Sequence, residues 1–202
     1  MKAIVIKEPG GPEQLVIQEV PDPVPAADEI LVRVTAAGVN RADILQRQGK
    51  YPPPPGTPPY PGLEIAGVVE AVGEQCHRWK VGDRVCSILS GGGYAQKVTV
   101  PCELAMPVPP HLTNEEAAAI PEVFLTAYQT LIWITGLKND EFALIHAGAS
   151  GVGTAAIQLA RVVGAHPMVT AGSEEKIAFC RQLGAIGGVN YKKEAFPPKI
   201  LD

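Results

Sequence analysis

Three small residues in one stretch of the chain, Gly151, Gly153 and Ala156, have the spacing of a phosphate-binding turn. A short apolar stretch typical of a buried strand precedes this turn at residues 142–145, and a run of small and apolar residues follows it. In the pattern G-x-G-x-x-G/A, the first glycine permits a tight turn and the second lets the main chain approach a pyrophosphate, while the third residue lets the helix pack on its strand. The N-terminus of that helix adds unpaired N–H groups and a partial positive charge. The pattern therefore predicts a dinucleotide site, with an ordinary strand-to-helix turn as the alternative.

The residues after the next predicted strand, 166–171, indicate which dinucleotide is preferred. Sites for NAD place a carboxylate at the end of this strand to hold the ribose 2′-hydroxyl. Here the strand runs into a glycine and Ser173, with Lys176 shortly after. Glu174 and Glu175 fall in the first turn of the following helix, where acidic residues are favoured by the helix dipole and Ser173 is suited to be the N-cap. The sequence thus favours NADPH, although Lys176 can also be an ordinary solvated helix lysine.

Composition excludes several classes of function. The chain has 202 residues, 46% of them hydrophobic, and a formal net charge of −4 without a basic run, so nothing in its charge favours nucleic acid. No apolar run reaches the length of a membrane span, and the N-terminus lacks the layout of a signal peptide. Four cysteines are scattered without a CxxC pair, which is typical of reduced thiols. The sequence predicts a cytoplasmic protein with neither nucleic acid nor membrane as a partner.

The chain is predicted to divide near residue 120. The first part is rich in strands and punctuated by proline and glycine, which indicates a compact β domain. Its predicted strands are Ala3–Lys7, Leu15–Glu19, Ile30–Ala36, Ile65–Val72, Arg84–Leu89 and Tyr94–Val100.

A capping box from Thr113 to Glu116 opens a helical region that Pro121 interrupts, and a second helix is predicted over residues 123–134. From residue 142 onward strand and helix alternate as in a βαβ unit, with a third strand at residues 188–191. The fold class is therefore α/β, with a β domain at 1–120 and a parallel-sheet domain at 121–202.

Four segments in this order resemble one known superfamily: 40–51, 61–67, 79–85 and the glycine turn. Together they are similar to the medium-chain dehydrogenase/reductase superfamily. Within it, the resemblance is to the zinc-free quinone oxidoreductases of zeta-crystallin type, and the most similar branch is the tumour-suppressor-inducible one. The resemblance covers residues 1–196. It implies a GroES-like domain at 1–120, followed by a Rossmann domain for NADPH at 121–202.

The same resemblance implies roles for individual residues. Asn40 and Tyr51 are expected to line the nicotinamide and substrate pocket, with Asn40 bonding the ribose or a substrate oxygen and Tyr51 donating to a developing oxyanion. Alternatively, Asn40 is a turn former after Gly38 and Tyr51 is a packed aromatic beside prolines. The expected cofactor-binding residues are Asn40, Thr126 at the nicotinamide ribose, Gly148, Ser150, Gly151, Val152 and Gly153 at the pyrophosphate, and Ser173, Lys176 and Tyr191 around the 2′-phosphate.

No metal site is predicted. Zinc-dependent members of the superfamily carry a cysteine near Asn40 and a histidine near Leu63, and this chain has neither. The four histidines are scattered: two are expected at the surface, His146 is expected to be buried and hydrogen-bonded, and His166 has no evident role. Three carboxylates are expected to hold loops together and not to act on a substrate: Asp43, Glu64 and Asp83.

The function implied by the resemblance is hydride transfer from NADPH to a small-molecule quinone without a metal. Reduction of an enoyl thioester or another activated alkene is an alternative within the superfamily. A third is a non-enzymatic, truncated product. Full-length members form homo-oligomers.

The C-terminal region departs from a complete Rossmann domain. Such a domain has six parallel strands in the order 3-2-1-4-5-6, whereas this sequence supplies strands 1, 2 and 3. The first of these is then expected at an exposed edge. We expect a fragment or truncated isoform, poorly stable in isolation, whose residues from Pro197 onward leave the family pattern.

Overall fold

The computed structural model describes residues 1–194. Contacts within the chain divide it into two compact units, one from Met1 to Glu122 and one that begins at Val123. The expectation for Pro197 onward lies outside the described residues. No helix within 1–194 combines the length and apolar character that a membrane span requires.

The first unit contains seven strands, joined by loops and short helices. A hairpin pairs β1 with β2, and a five-stranded antiparallel sheet has the order β6-β3-β4-β5-β7. The bounds are Lys2–Ile6 for β1, Leu15–Glu19 for β2, Glu29–Ala37 for β3, Glu64–Val72 for β4, Arg84–Ile88 for β5, Lys97–Pro101 for β6 and Met106–Pro107 for β7.

Alternation along the central strands builds the core of this unit. On β3, Ile30 and Val32 are fully buried, whereas the next residue, Arg33, is exposed. This is expected because successive side chains of a strand point to opposite faces of the sheet. Ile65 and Val69 of β4 pack in the same cluster. β3 and β4 pair antiparallel, with Val34 opposite Gly67, and two irregularities of register bend the pair.

Five of the six predicted strands match within a residue or two, and the sixth begins later than predicted. The sequence predicts a strand from residue 94, but β6 begins at Lys97, since the residues before it bond elsewhere: Ala95 forms an isolated bridge with Ala3 of β1, and Tyr94 N–H donates to Pro61. Two further elements are not predicted from the sequence: the two-residue strand β7 and a seven-residue helix, α1, at Arg41–Arg47.

The predicted capping box is present at the start of α2, Asn114–Ala118, where Thr113 Oγ1 accepts from the N–H of Glu116 at 3.2 Å. Helix α3 begins at Pro121 and extends to Tyr128, because proline is tolerated in the first turn of a helix. The α-helix predicted to reach residue 134 ends earlier than expected. Residues Gln129–Ile134 instead form a π-helical segment, closed by a bond from Thr135 N to Thr130 O.

The second unit alternates strand and helix as predicted. Its three strands are parallel, in the order β10-β9-β8. The bounds are Phe142–Ile145 for β8, Gly151–Val163 for α4, His166–Ala171 for β9, Glu174–Leu183 for α5 and Gly187–Asn190 for β10. Ala156 of α4 packs against Ile145 of β8 and Val169 of β9 in one buried cluster, which is why a small residue is needed there.

Strand β8 lies at the edge of this sheet within the described residues, as expected. Its side chains alternate: Ala143 and Ile145 are buried, whereas Phe142 is 70% exposed and Leu144 38% exposed. One face of β8 therefore contributes to the core and the other is open in residues 1–194.

Candidate functional site

The glycine turn joins β8 to α4. Ser150 is the N-cap of α4, and its hydroxyl accepts from the N–H of Gly153 at 3.1 Å. A Cβ atom on Gly153 would lie 2.5 Å from the carbonyl oxygen of Ala147, so only glycine allows the helix to start this close to the preceding loop. Ala147 itself has a positive φ of 52°, an unusual conformation for a residue with a side chain. The turn is thus tight and leaves the N-terminus of α4 accessible.

Three of the predicted cofactor-binding residues line one cavity of about 150 Å³ beside this turn: Ser150, Lys176 and Tyr191. The other lining residues are Ala147, Ala149, Ala171 and Gly172. Ala171 ends β9, so the cavity lies at the carboxyl end of the parallel strands, where α/β sheets bind ligands. An ammonium group and two hydroxyls around one small cavity are a donor set suited to phosphate.

Gly172 was missed by the sequence analysis, although its position directly after β9 is the signal that would have found it. A Cβ atom there would lie 2.9 Å from Tyr191 Oη and 3.3 Å from Lys192 Cε. The absence of a side chain at Gly172 therefore lets Tyr191 reach the cavity.

Glu174, the first residue of α5, is hydrogen-bonded to two other side chains. Glu174 Oε1 accepts from Asn190 Nδ2 at 3.1 Å and from Lys193 Nζ at 3.3 Å. These two bonds, the one from Asn190 first, lower the pKa of Glu174. Glu174 and Glu175 lie in the first turn of α5, as predicted. Neither is among the residues that line the cavity.

The remaining predicted cofactor residues of this unit lie around the turn but not in the cavity wall. Ser173 is the N-cap of α5, as predicted, and its hydroxyl accepts from the N–H of Lys176 at 3.3 Å. Val152 is 37% exposed in the first turn of α4. Gly148 is buried, and Gly151 is the first residue of α4.

Thr126, the residue expected at the nicotinamide ribose, is half-buried on α3, where its carbonyl accepts a hydrogen bond from Thr130 Oγ1.

The two residues expected to act on substrate lie in the first unit. Asn40 is half-buried at the N-terminus of α1, where it forms a capping box with Asp43. Tyr51 is 44% exposed in the loop after α1. No hydrogen bond within residues 1–194 joins Asn40 to Tyr51.

Two buried carboxylates surround Asn40. Asp43, 4% exposed, accepts from the N–H of Asn40 at 2.8 Å, the N–H of Gly62 at 3.2 Å and the hydroxyl of Tyr94 at 3.0 Å. Glu64, 2% exposed, accepts from Asn40 Nδ2 at 2.7 Å and the N–H of Glu122 at 2.9 Å. The prediction that these carboxylates hold loops together is confirmed. Asp83 likewise holds a turn together, because its carboxylate accepts a hydrogen bond from the N–H of Lys80.

All the hydrogen bonds that the carboxylates of Asp43 and Glu64 accept in the described part of the chain come from neutral donors. No ion pair among residues 1–194 includes Asp43 or Glu64. Burial raises the pKa of Tyr94, and Asp43 adds to the effect. Burial, followed by the charges of Glu64 and Asp43, also raises the pKa of the Glu122 carboxyl. The two carboxylates bonded to Asn40 are therefore buried and paired with neutral donors, and neither Tyr94 nor Glu122 was anticipated from the sequence.

The histidines are not arranged for metal binding. His77 and His111 are exposed, as predicted. The predicted hydrogen bond of His146 is confirmed, with its Nδ1 3.0 Å from Thr170 Oγ1, but the predicted burial is wrong, because His146 continues the exposed alternation of Phe142 and Leu144. His166 packs on the ring of Phe142, with 5.0 Å between the ring centroids. Within residues 1–194 no three His, Cys, Asp or Glu side chains are grouped so as to hold a metal ion.

Comparisons with known proteins agree with this architecture. Residues 26–110 match the model of the alcohol dehydrogenase GroES-like domain, and residues 151–202 match that of the zinc-binding dehydrogenases. The quinone oxidoreductase of Lama guanicoe is 38% identical over 202 residues, which are 99% of this chain and 61% of that protein.

Solved structures give the same result. The Escherichia coli quinone oxidoreductase complexed with NADPH is 35% identical with a TM-score of 0.87, over 98% of this chain and 61% of that one. The CurK enoyl reductase is 33% identical with a TM-score of 0.86, over 94% and 60%. The chain therefore belongs to the medium-chain dehydrogenase/reductase superfamily and, within it, to the quinone oxidoreductase family. It spans about three fifths of the length of these relatives.

Proposed function

We propose that this protein is an NADPH-dependent quinone oxidoreductase that transfers hydride to a small-molecule quinone without a metal. The observation that carries the proposal is the cavity shared by Ser150, Lys176 and Tyr191 at the carboxyl end of β9. A positive side chain and two hydroxyls in that place suit the 2′-phosphate that distinguishes NADPH from NADH. The carboxylate nearby, Glu174, is bound to Asn190 and Lys193 and leaves Lys176 to a ligand.

The residues of the turn fit a dinucleotide. Gly153 lies against the carbonyl of Ala147 with no room for a side chain, so main chain is available at the N-terminus of α4. The helix dipole favours the pyrophosphate there. We assign the pyrophosphate to the turn formed by Gly148, Ser150, Gly151, Val152 and Gly153, the 2′-phosphate to Ser173, Lys176 and Tyr191, and the nicotinamide ribose to Thr126 and Asn40.

Bound NADPH would supply the hydride, and a quinone is an acceptor that needs little activation because its reduced form is a stabilised anion. The protein's part is to hold the acceptor and its oxygens. Asn40 can donate a hydrogen bond from its amide, and Tyr51 can donate its phenolic proton to the oxygen on which negative charge develops. The pair of buried carboxylates holds the segment that carries Asn40.

The first test is a fluorescence titration of the chain with NADPH and with NADH. We expect tighter binding of NADPH, and in Lys176→Ala we expect this preference to fall about tenfold or more, since a charge-assisted phosphate contact is lost. Lys138→Ala, a change at a lysine outside this cavity, is the control. Equal affinity for the two cofactors in the unmodified chain would contradict the assignment, and absence of turnover with a quinone panel would contradict the activity.

Reduction of an activated alkene is the second candidate, because the similarity to the CurK enoyl reductase is nearly as strong as that to the quinone oxidoreductases. A panel that pairs quinones with enoyl thioesters distinguishes the two. Binding of NADPH without turnover of either class would instead support a non-enzymatic role.

The proposal also includes the roles of the two domains, the cellular location and the oligomeric state. We assign the substrate side to a domain at 1–120 and the cofactor side to a domain at 121–202. All four cysteines are free, which agrees with a cytoplasmic location. A homo-oligomer, as in the full-length family, is expected and is checked by light scattering.

A further inference from the structure

The side chain of Asn40 is held in one orientation. Its Nδ2 donates a hydrogen to Glu64 Oε1 at 2.7 Å. Because a carboxylate only accepts hydrogen bonds, this contact fixes which end of the amide faces Glu64. The main-chain N–H of Asn40 is held as well, by Asp43 Oδ2 at 2.8 Å. Both the backbone and the amide of Asn40 are thus anchored by buried carboxylates.

This anchoring leaves one donor of the amide for another molecule. The second Nδ2 hydrogen has no partner within the described residues, and Asn40 is half-buried, so it can be reached. A donor whose direction is fixed before a ligand arrives loses little entropy on binding. It is suited to a ligand oxygen that carries lone pairs or developing negative charge.

Glu64 is adapted to hold this amide. Its other oxygen, Oε2, accepts the N–H of Glu122 in the first turn of α3 at 2.9 Å, so both oxygens are in use. Gly38 makes room for the carboxylate, since a Cβ atom at that position would collide with it. A glutamine of the same shape would have a single acceptor oxygen and would turn an NH2 group toward one of the two donors.

We propose that Glu64 is a positioning residue for the reaction. It orients the Asn40 amide so that the free Nδ2 hydrogen meets an acceptor oxygen, either of the nicotinamide ribose or of the quinone. This inference rests on the proposed function, because the proposed function supplies the cofactor and the quinone to which Asn40 would donate. It assigns to a buried carboxylate a role in turnover in addition to its role in holding the loop.

The test is a double-mutant cycle on quinone reduction by the full chain, with Glu64→Gln, Asn40→Ala and the combined variant. We expect Glu64→Gln to lower kcat/KM about tenfold, as misplacement of a positioned group does. In the Asn40→Ala background the same change should have almost no further effect, because Glu64 acts through Asn40. Glu103→Gln, which removes an exposed carboxylate of the same unit, is the matched control.

The kinetic constants identify the ligand oxygen. A rise in the NADPH dissociation constant with unchanged quinone KM assigns the ribose, and the reverse assigns the quinone. Equal losses from Glu64→Gln with and without Asn40 would overturn the proposal, since that is the behaviour of a residue that only stabilises the fold.

A second measurement needs no variant and no activity. In the isotope-labelled chain, NMR should detect a scalar coupling across the hydrogen bond between Asn40 Nδ2 and the Glu64 carboxylate carbon. Its absence would overturn the proposal whether or not the chain turns over. A chain that shows the coupling but reduces no quinone or alkene would overturn the proposed function while retaining the fixed amide.

Discussion

The hydroxyl of Tyr191 lies against the main chain of Gly172, so close that a Cβ atom on Gly172 would be 2.9 Å from Tyr191 Oη. Both residues line the cavity that we assign to the 2′-phosphate. Gly172 directly follows β9 and Tyr191 directly follows β10, so two neighbouring parallel strands end at this contact. The place of the Tyr191 hydroxyl in this cavity therefore depends on the absence of a side chain at Gly172.

Gly172→Ala should weaken NADPH binding about tenfold and leave NADH binding almost unchanged. The new methyl group displaces the Tyr191 hydroxyl, and the loss of one hydrogen bond to a charged group has an effect of roughly this size. Isothermal titration calorimetry with both cofactors measures the change. Gly187→Ala is a suitable control in β10, because the nearest atom there is the flexible end of Met168. An equal loss for both cofactors would show that Tyr191 does not contact the 2′-phosphate.

Ser150→Ala should lower both stability and cofactor affinity. The hydroxyl caps α4 and lines the phosphate cavity, and removal of an N-cap costs about 1 kcal/mol. Thr113→Ala removes the equivalent cap of α2 in the first unit, and should lower stability by a similar amount without changing NADPH affinity. Urea denaturation and a cofactor titration of both variants check this. Unchanged affinity in Ser150→Ala would remove that hydroxyl from the binding site.

Local chemistry explains what could be predicted from the sequence. The capping box at Thr113, the N-cap at Ser173 and the glycine turn each depend on residues within five positions of one another, so the sequence specifies them directly. Apart from the two-residue β7, alternating apolar residues likewise located the strands within residues 1–194 to within a few positions.

Long-range contacts explain what could not be predicted. Glu64 and Glu122 are 58 residues apart, and nothing local indicates that the carboxylate of one receives the N–H of the other. The residues just before β6 bond to β1 and to Pro61, both far away in the sequence, which the local pattern does not indicate. The position of Gly172 after β9 is readable from the sequence, but its contact with Tyr191 exists only because β10 pairs with β9.

Asp43→Asn should destabilise the first unit by about 2–3 kcal/mol. The buried carboxylate accepts three hydrogen bonds, and an amide in its place would turn an NH2 group toward at least one of the donors, which is costly in a dry interior. Urea unfolding measures the loss. Asp83→Asn is the matched control, because Asp83 is half-buried and accepts from Lys80 N in a surface turn, so its replacement should have a smaller effect. Similar losses in the two variants would contradict the importance of burial.

Glu122→Gln should stabilise the chain at neutral pH, and this gain should disappear in acid. Burial and the charges of Glu64 and Asp43 raise the pKa of Glu122 above its ordinary value of 4.5 in the folded state. The folded state therefore binds more protons than the unfolded state between these two pKa values, and stability falls as the pH rises through that window. Glutamine removes this dependence while its main-chain N–H still donates to Glu64. Urea unfolding at pH 7 and pH 4 should show a stabilised variant only at pH 7, whereas a gain that persists at pH 4 would show that the charge of Glu122 is not its cause.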